Sequence, residues 1–175
     1  MKKEEIIGIL NQKHEEFFLL MQKLPEEIFT TSVHDKWSPH QNLEHIRRSV
    51  QPLVLAYKLP KFIIRIVVGK SNRPSRTYDQ LVKRYTDRLT VGGRARGRFV
   101  PSEKIKISKN EIILQTKKYL QSVSSAVGKN WSEKDLDTFI FPHPLLGKLT
   151  AREMLYFTAY HAQHHKEIVE KYYCK

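Results

Sequence analysis

The stretch TAREMLYFTAYHAQHHKEIVEKY, residues 150–172, predicts a long amphipathic helix. Thr150 followed three residues later by Glu153 is the capping-box pattern that typically begins a helix. Beyond this cap, apolar side chains and two histidines recur at helical spacing along one stripe, which consists of Met154, Phe157, Thr158, His161, His165 and Ile168. A stripe of this kind faces a protein core, so both histidines are predicted on the buried side of the helix.

Three further long helices are predicted upstream by the same signals. The first covers residues 3–24, where apolar positions recur at helical spacing. The second begins after Ser38, where Gln41 completes a capping box, and the third covers residues 108–128. Four long helices without a clear strand pair predict an all-α fold, a four-helix bundle that forms a single domain over residues 1–175.

A long basic connection separates the second and third predicted helices. Residues 60–68 are apolar and β-branched, which suits a strand or a buried helical turn, and we predict a helix. Residues 69–100 contain Gly92-Gly93 and the run Arg94-Ala95-Arg96-Gly97-Arg98. This composition predicts a long, mobile and irregular connection.

The charge of the chain is strongly positive and concentrated in this connection. Lys and Arg total 31 against 18 Asp and Glu, a formal net charge of +13. Between residues 58 and 106 there are 14 basic and three acidic residues. Such a segment can bind nucleic acid, although the sequence contains no helix-turn-helix, RNA-recognition or zinc-finger spacing. It can equally steer a small anionic substrate towards a site.

The cysteine content and hydropathy suggest a cellular location. Cys174 is the only cysteine, so an intrachain disulfide is impossible. The longest apolar run, residues 62–68, is interrupted by Arg65, and no apolar targeting segment follows the N-terminus. We therefore expect a cytoplasmic protein without a membrane partner.

The histidines of the last predicted helix indicate a metal site. His161 and His165 lie one helical turn apart, so both imidazoles can contact a single ion. A third ligand must come from another element, and His45 on the second predicted helix is the strongest candidate. His164 lies about 100° around the helix from His165 and is predicted to point to a flank. His14 can face the interior, although its neighbour Lys13 suggests that this turn of the first helix faces water.

Two polar residues near His45 can support such a site. Gln41 can hydrogen-bond a ligand or a bound water, but a role in the helix cap is the preferred interpretation. Glu44 can serve as an outer carboxylate, but we expect a solvated helix residue. His34, His40 and His143 lie in or near loops and turns, and no role is predicted for them.

Several motifs together resemble one protein family. These are Lys36-Trp37-Ser38-Pro39 with Leu43-Glu44-His45-Ile46, then His143-Pro144-Leu145-Leu146-Gly147-Lys148-Leu149-Thr150, and finally Tyr160-His161-Ala162-Gln163-His164-His165. In this order and spacing they are similar to the DinB/YfiT-like proteins, the DinB superfamily of metalloenzymes. The resemblance covers most of the chain, but the arginine-rich connection matches no feature of the family.

The resemblance implies a four-helix bundle in a mirror variant of the up-and-down topology. It also implies a divalent metal, zinc or nickel, bound by His45, His161 and His165. Some family members resemble thiol S-transferases that act with bacillithiol or a similar low-molecular-weight thiol. We therefore expect a metal-dependent transferase or hydrolase that acts on a small molecule.

Three alternatives remain at this stage. The first is a nucleic-acid-binding basic module, and the second is a metal-binding bundle without catalytic activity. The third concerns assembly, because apolar helix faces also permit a homodimer. Three histidines around a zinc-like ion leave at least one position open, which favours the enzyme.

Overall fold

The computed structural model describes residues 1–104 and 106–174, and these residues are mostly helical. Eight α-helices and two strands are present in this part of the chain. Their bounds are α1 (Lys3–Lys23), α2 (Glu26–Thr30), α3 (Pro39–Lys58), α4 (Lys61–Val67), α5 (Tyr78–Thr90), α6 (Lys109–Asn130), α7 (Glu133–Thr138), β1 (Ile140–His143), β2 (Gly147–Thr150) and α8 (Ala151–Tyr173). The predicted all-α class is confirmed.

The four long helices α1, α3, α6 and α8 are those predicted from the sequence. Helix α3 packs against α6 and α8, and α1 packs against the same two helices. Ser38 caps α3 as predicted: its hydroxyl accepts a hydrogen bond from the Gln41 amide, and Gln41 Oε1 accepts one from the Ser38 amide at 2.9 Å. The preferred role of Gln41 is thereby confirmed. None of the described helices is long and apolar enough to cross a membrane.

The prediction of an irregular connection over residues 69–100 is wrong for its central part. Helix α5 occupies Tyr78–Thr90, and Thr77 and Gln80 form its capping box. Leu81 and Tyr85 are buried because they face α8. The glycines and arginines that suggested an irregular chain lie after this helix, where residues 97–99 form one short 3-10 turn.

The expectation of no strand pair is also wrong. Strands β1 and β2 form an antiparallel hairpin in which Ile140 pairs with Thr150 and His143 with Gly147. Gly147 has a positive φ of 76°, which an L side chain rarely adopts. The prolines on this hairpin masked its alternation, but a two-stranded ribbon tolerates proline because every strand is an edge. The predicted helix over residues 60–68 is confirmed as α4.

His14 lies inside the protein, so the expectation that its turn of α1 faces water is wrong. Its side chain is buried, and Nδ1 donates a hydrogen bond to the Leu10 carbonyl at 2.8 Å. Nε2 is buried without a hydrogen-bond partner in the described part of the chain. Burial lowers the pKa of His14 to about 4, so the ring is neutral at neutral pH.

We expect this buried histidine to make the protein sensitive to acid. The pKa of His14 is about 4 in the folded chain and 6.5 in the unfolded chain. The contribution of the neutral ring to the free energy of unfolding is therefore complete above pH 6.5 and is lost as the pH falls to 4. The loss amounts to about 3 kcal/mol for a shift of this size. His14→Leu should flatten the dependence of the free energy of unfolding on pH between 6.5 and 4, measured by urea denaturation.

The control for this prediction is His34→Asn, because His34 is exposed and its positive φ of 49° suits asparagine. The control should keep the acid sensitivity of the natural chain. Equal pH dependence in His14→Leu and the natural chain would contradict the assignment.

Candidate metal centre

Three buried imidazoles converge between α3 and α8. Nε2 of His161 lies 3.1 Å from Nε2 of His45 and 3.1 Å from Nε2 of His165. The three ligand atoms lie within 4.8 Å of one another, and each side chain is nearly inaccessible to solvent. Ligand nitrogens about 2.05 Å from one tetrahedral ion are about 3.3 Å apart. The three residues could therefore hold a metal ion, and the structure brings together the three histidines chosen from the sequence.

The backbone near the 3-10 turn orients His45. Its Nδ1 lies 2.6 Å from the carbonyl oxygen of Phe99, which can only accept a hydrogen bond. The proton of the neutral ring is therefore on Nδ1, and the lone pair is on Nε2. Residues from the basic connection thus fix one candidate ligand.

A chain of hydrogen bonds from the α3 cap orients His165. Asn42 donates through Nδ2 to the carbonyls of Trp37 and Ser38, at 2.8 and 2.9 Å. These two bonds fix the side-chain amide, so Oδ1 is the atom that faces His165 Nδ1 at 2.6 Å. Because Oδ1 can only accept, His165 also carries its proton on Nδ1 and presents a lone pair at Nε2.

The electrostatics of the cluster favour neutral imidazoles. Burial, followed by the proximity of His165 and His45, holds the pKa of His161 well below its usual value. Burial also lowers the pKa of His45 and of His165. Two Nε2 lone pairs therefore face His161 Nε2, which can donate a proton to only one of them. A cation at the centre would satisfy all three nitrogens.

Aromatic side chains hold these rings in place. Trp37 lies 5.0 Å from the His45 ring and stacks on His165 at 6.3 Å, while Phe157 stacks on His161 at 4.8 Å. The positioning roles of Trp37 and Asn42 are not predicted from the sequence. Asn42 precedes His45 by one helical turn, a spacing that could have revealed it.

Of two other predictions about this region, one is confirmed and one is wrong. His164 lies on the flank, as predicted, where its ring centroid is 5.6 Å from that of Tyr85. Glu44 is not a solvated residue, because its buried carboxylate accepts hydrogen bonds at 2.7 Å from Arg47 and Arg48. Burial raises the pKa of Glu44, but the bonds from the two arginines outweigh this effect and lower it.

A cavity of about 820 Å³ adjoins the histidine cluster. Its walls come from α3, α4, α5, the segment 94–99, the hairpin and α8, and His45 and His161 both line it. Its volume is in the range of about 300–1,000 Å³ that small-molecule sites occupy. Two of the three histidines, His45 and His161, therefore border a space large enough for a small molecule.

Most of the chain matches the model of a known protein family. The model of the DinB superfamily matches residues 9–169. The chain belongs to the DinB superfamily. No curated protein and no solved structure matches the chain significantly.

Proposed function

We propose that this DinB-superfamily protein binds one divalent metal ion, zinc or nickel, through His45, His161 and His165. The observation that supports the proposal is the convergence of three Nε2 atoms, two of which have Nδ1 held by an oxygen acceptor. This pattern is typical of metal-binding histidines, whose other ring nitrogen usually donates to an oxygen. Imidazole ligands suit zinc and nickel better than magnesium or calcium.

We also propose that the centre is catalytic and acts on a small molecule in the adjoining cavity. Three histidines leave a coordination position free, and two of them line the cavity. A divalent ion at such a site lowers the pKa of a bound thiol or water. A purely structural site is closed by four protein ligands, which the described cluster does not provide.

The side chains of the cavity favour thiol transfer over hydrolysis. None of the residues that line it in the described part of the chain is Asp or Glu, so no carboxylate is available there to accept a proton. A thiol that ionises on binding needs no such acceptor during attack on an electrophile. Metal-dependent hydrolases often use a carboxylate beside the metal to take the proton of the attacking water, as the Glu of a His-Glu-x-x-His site does.

The proposal predicts about one zinc or nickel ion per chain in protein purified without a histidine tag, as a single three-His site requires. Elemental analysis after gel filtration measures this ratio. Metal-loaded protein should then conjugate a small thiol to a chromogenic electrophile faster than it hydrolyses esters or amides. A metal content near zero after loading and gel filtration would contradict the metal site, and a metal-bound protein inactive in both assays would contradict the enzyme.

A further inference from the structure

We propose that the cavity binds an amphipathic anion, a molecule with an extended apolar part and one carboxylate or similar anionic group near the histidine cluster. As a statement about substrate, this inference rests on the proposed function. Binding itself depends on the cavity walls, so it can be tested with or without metal.

The shape of the cavity suits an elongated molecule. Its lining on α3 extends from His45 to Leu59, which corresponds to about 21 Å along a helix axis. On α8 the lining runs in the opposite sense, from His161 back to Met154. The histidine cluster therefore lies towards one end of the cavity.

The other end of the cavity is apolar. Helix α4 follows Leu59 and contributes aliphatic side chains to the wall, and the hairpin contributes Phe141, whose ring centroid lies 5.2 Å from that of Tyr57 near the end of α3. The α4 contribution consists of Ile63, Ile64 and Val67. Burial of a hydrocarbon chain against such a surface is favourable by about 0.8 kcal/mol per methylene group. This end therefore fits the apolar part of the ligand.

The charge of the walls selects an anion. The cavity is lined by four arginines and no acidic residue in the described part of the chain. Glu44 pairs with two of them, Arg47 and Arg48, and its one negative charge offsets one of their two positive charges. Arg94 and Arg98 form no ion pair with any described residue, and Arg98 adjoins Phe99, whose carbonyl contacts His45. Their positive charge is therefore available at the histidine end.

His143 adds a hydrogen-bond donor to the cavity wall. Its Nδ1 accepts hydrogen bonds from the amides of Leu145 and Leu146, at 3.1 and 3.0 Å. The proton of the neutral ring is therefore on Nε2, which has no partner among the described residues. Burial lowers the pKa of His143 to about 4, so the ring stays neutral and keeps this N–H donor at neutral pH. An anionic or carbonyl oxygen is the complementary partner.

The test compares three ligands with the same chain and different head groups: decanoate, decanol and decyltrimethylammonium. Isothermal titration calorimetry below the critical micelle concentration of each ligand measures their affinities for metal-loaded protein and for protein from which EDTA has removed the metal. Decanoate should bind about tenfold more tightly than either of the others in both preparations, because Arg94 and Arg98 are exposed and each can contribute up to about 1 kcal/mol.

Three variants test which residues are responsible. The double variant Arg94→Gln, Arg98→Gln should weaken decanoate binding about tenfold and leave decanol binding unchanged. Arg96→Gln is the matched control, because Arg96 is exposed on the same segment but does not line the cavity. Leu53→Trp places a larger side chain in the wall and should weaken binding of both ligands.

Equal affinities for the three head groups would overturn the inference, as would decanoate binding unaffected by the double variant. The outcomes also distinguish a failure of this inference from a failure of the proposed function. Arginine-dependent decanoate binding by a protein that takes up no metal would leave the cavity assignment standing and refute the metal site. A protein that binds metal but does not discriminate among the head groups would refute only the anion site.

Discussion

Replacement of His161 by alanine is expected to lower the affinity for zinc by about 10²–10³-fold. Structural zinc sites with four ligands gain about 10–16 kcal/mol, which corresponds to about 3–4 kcal/mol for each ligand. His161 is the central ligand of the cluster, since its Nε2 is 3.1 Å from both other Nε2 atoms. Its loss leaves two imidazoles, and the smaller side chain leaves space that water can enter.

Competition with a chromophoric chelator measures this affinity, and circular dichroism shows whether the variant is folded. His164→Ala is the matched control, because His164 lies on the same helix and close to His165 but outside the ligand group. Asn42→Leu should give an intermediate loss of about 10–100-fold, because it frees His165 from its oxygen acceptor. An equal loss in the His161 and His164 variants would contradict the assigned ligand set.

The clustering of His161 and His165 could be predicted from the sequence because helical periodicity carries the information. His161 and His165 share a stripe with Met154 and Phe157, and the Ser38 cap fixes the start of the helix that carries His45. The pairing of His45 with the other two histidines is a tertiary contact. It is predicted from the position of His45 beside the apolar Leu43 and Ile46 on the second helix, and the resemblance to the DinB superfamily implies the same residue.

The groups that orient these ligands were harder to predict. The carbonyl of Phe99 binds His45, but any residue has a carbonyl, so the sequence carries no signal for this contact. Glu44 looked like a solvated helix residue because its two arginine partners follow it by three and four residues, a spacing also common on exposed faces. One of these partners, Arg48, also donates hydrogen bonds to the carbonyls of Arg98 and Val100, a tertiary contact that local spacing does not encode.

Helix α5 could have been predicted from its local sequence. The capping box of Thr77 and Gln80 and the apolar spacing of Leu81 and Tyr85 are ordinary helix signals. They were outweighed by Gly92-Gly93 and the arginine run after it, within a connection of high positive charge. That charge is compatible with a helix because the carboxylate of Glu153 on α8 binds the segment that leads into α5.

Replacement of Glu153 by glutamine is expected to destabilise the protein by about 3 kcal/mol, since removal of one partner from a buried ion pair costs about 3–5 kcal/mol. The side chain is fully buried, and its two oxygens accept hydrogen bonds from Arg73 at 2.6 and 2.7 Å and from the Arg76 amide at 2.8 Å. They also accept one from the Thr150 amide in the α8 cap. The lower end of this range of destabilisation is expected because Arg73 and Arg76 are partly exposed and can be rehydrated.

This loss should appear as a fall in Tm of about 6–12 °C in calorimetry, as expected for a domain of this size. Glu111→Gln is the matched control, because Glu111 occupies the same third position of α6 but is exposed, and it should change Tm little.

The stabilisation by the ion pair of Glu153 also depends on pH. Burial raises the pKa of Glu153, but the bonds from Arg73, Arg76 and Thr150 lower it overall, so this stabilisation is present above pH 4.5 and lost in stronger acid. The difference between the natural chain and Glu153→Gln should therefore shrink as the pH falls below 4.5, and a constant difference would show that shape rather than charge holds α5 against α8.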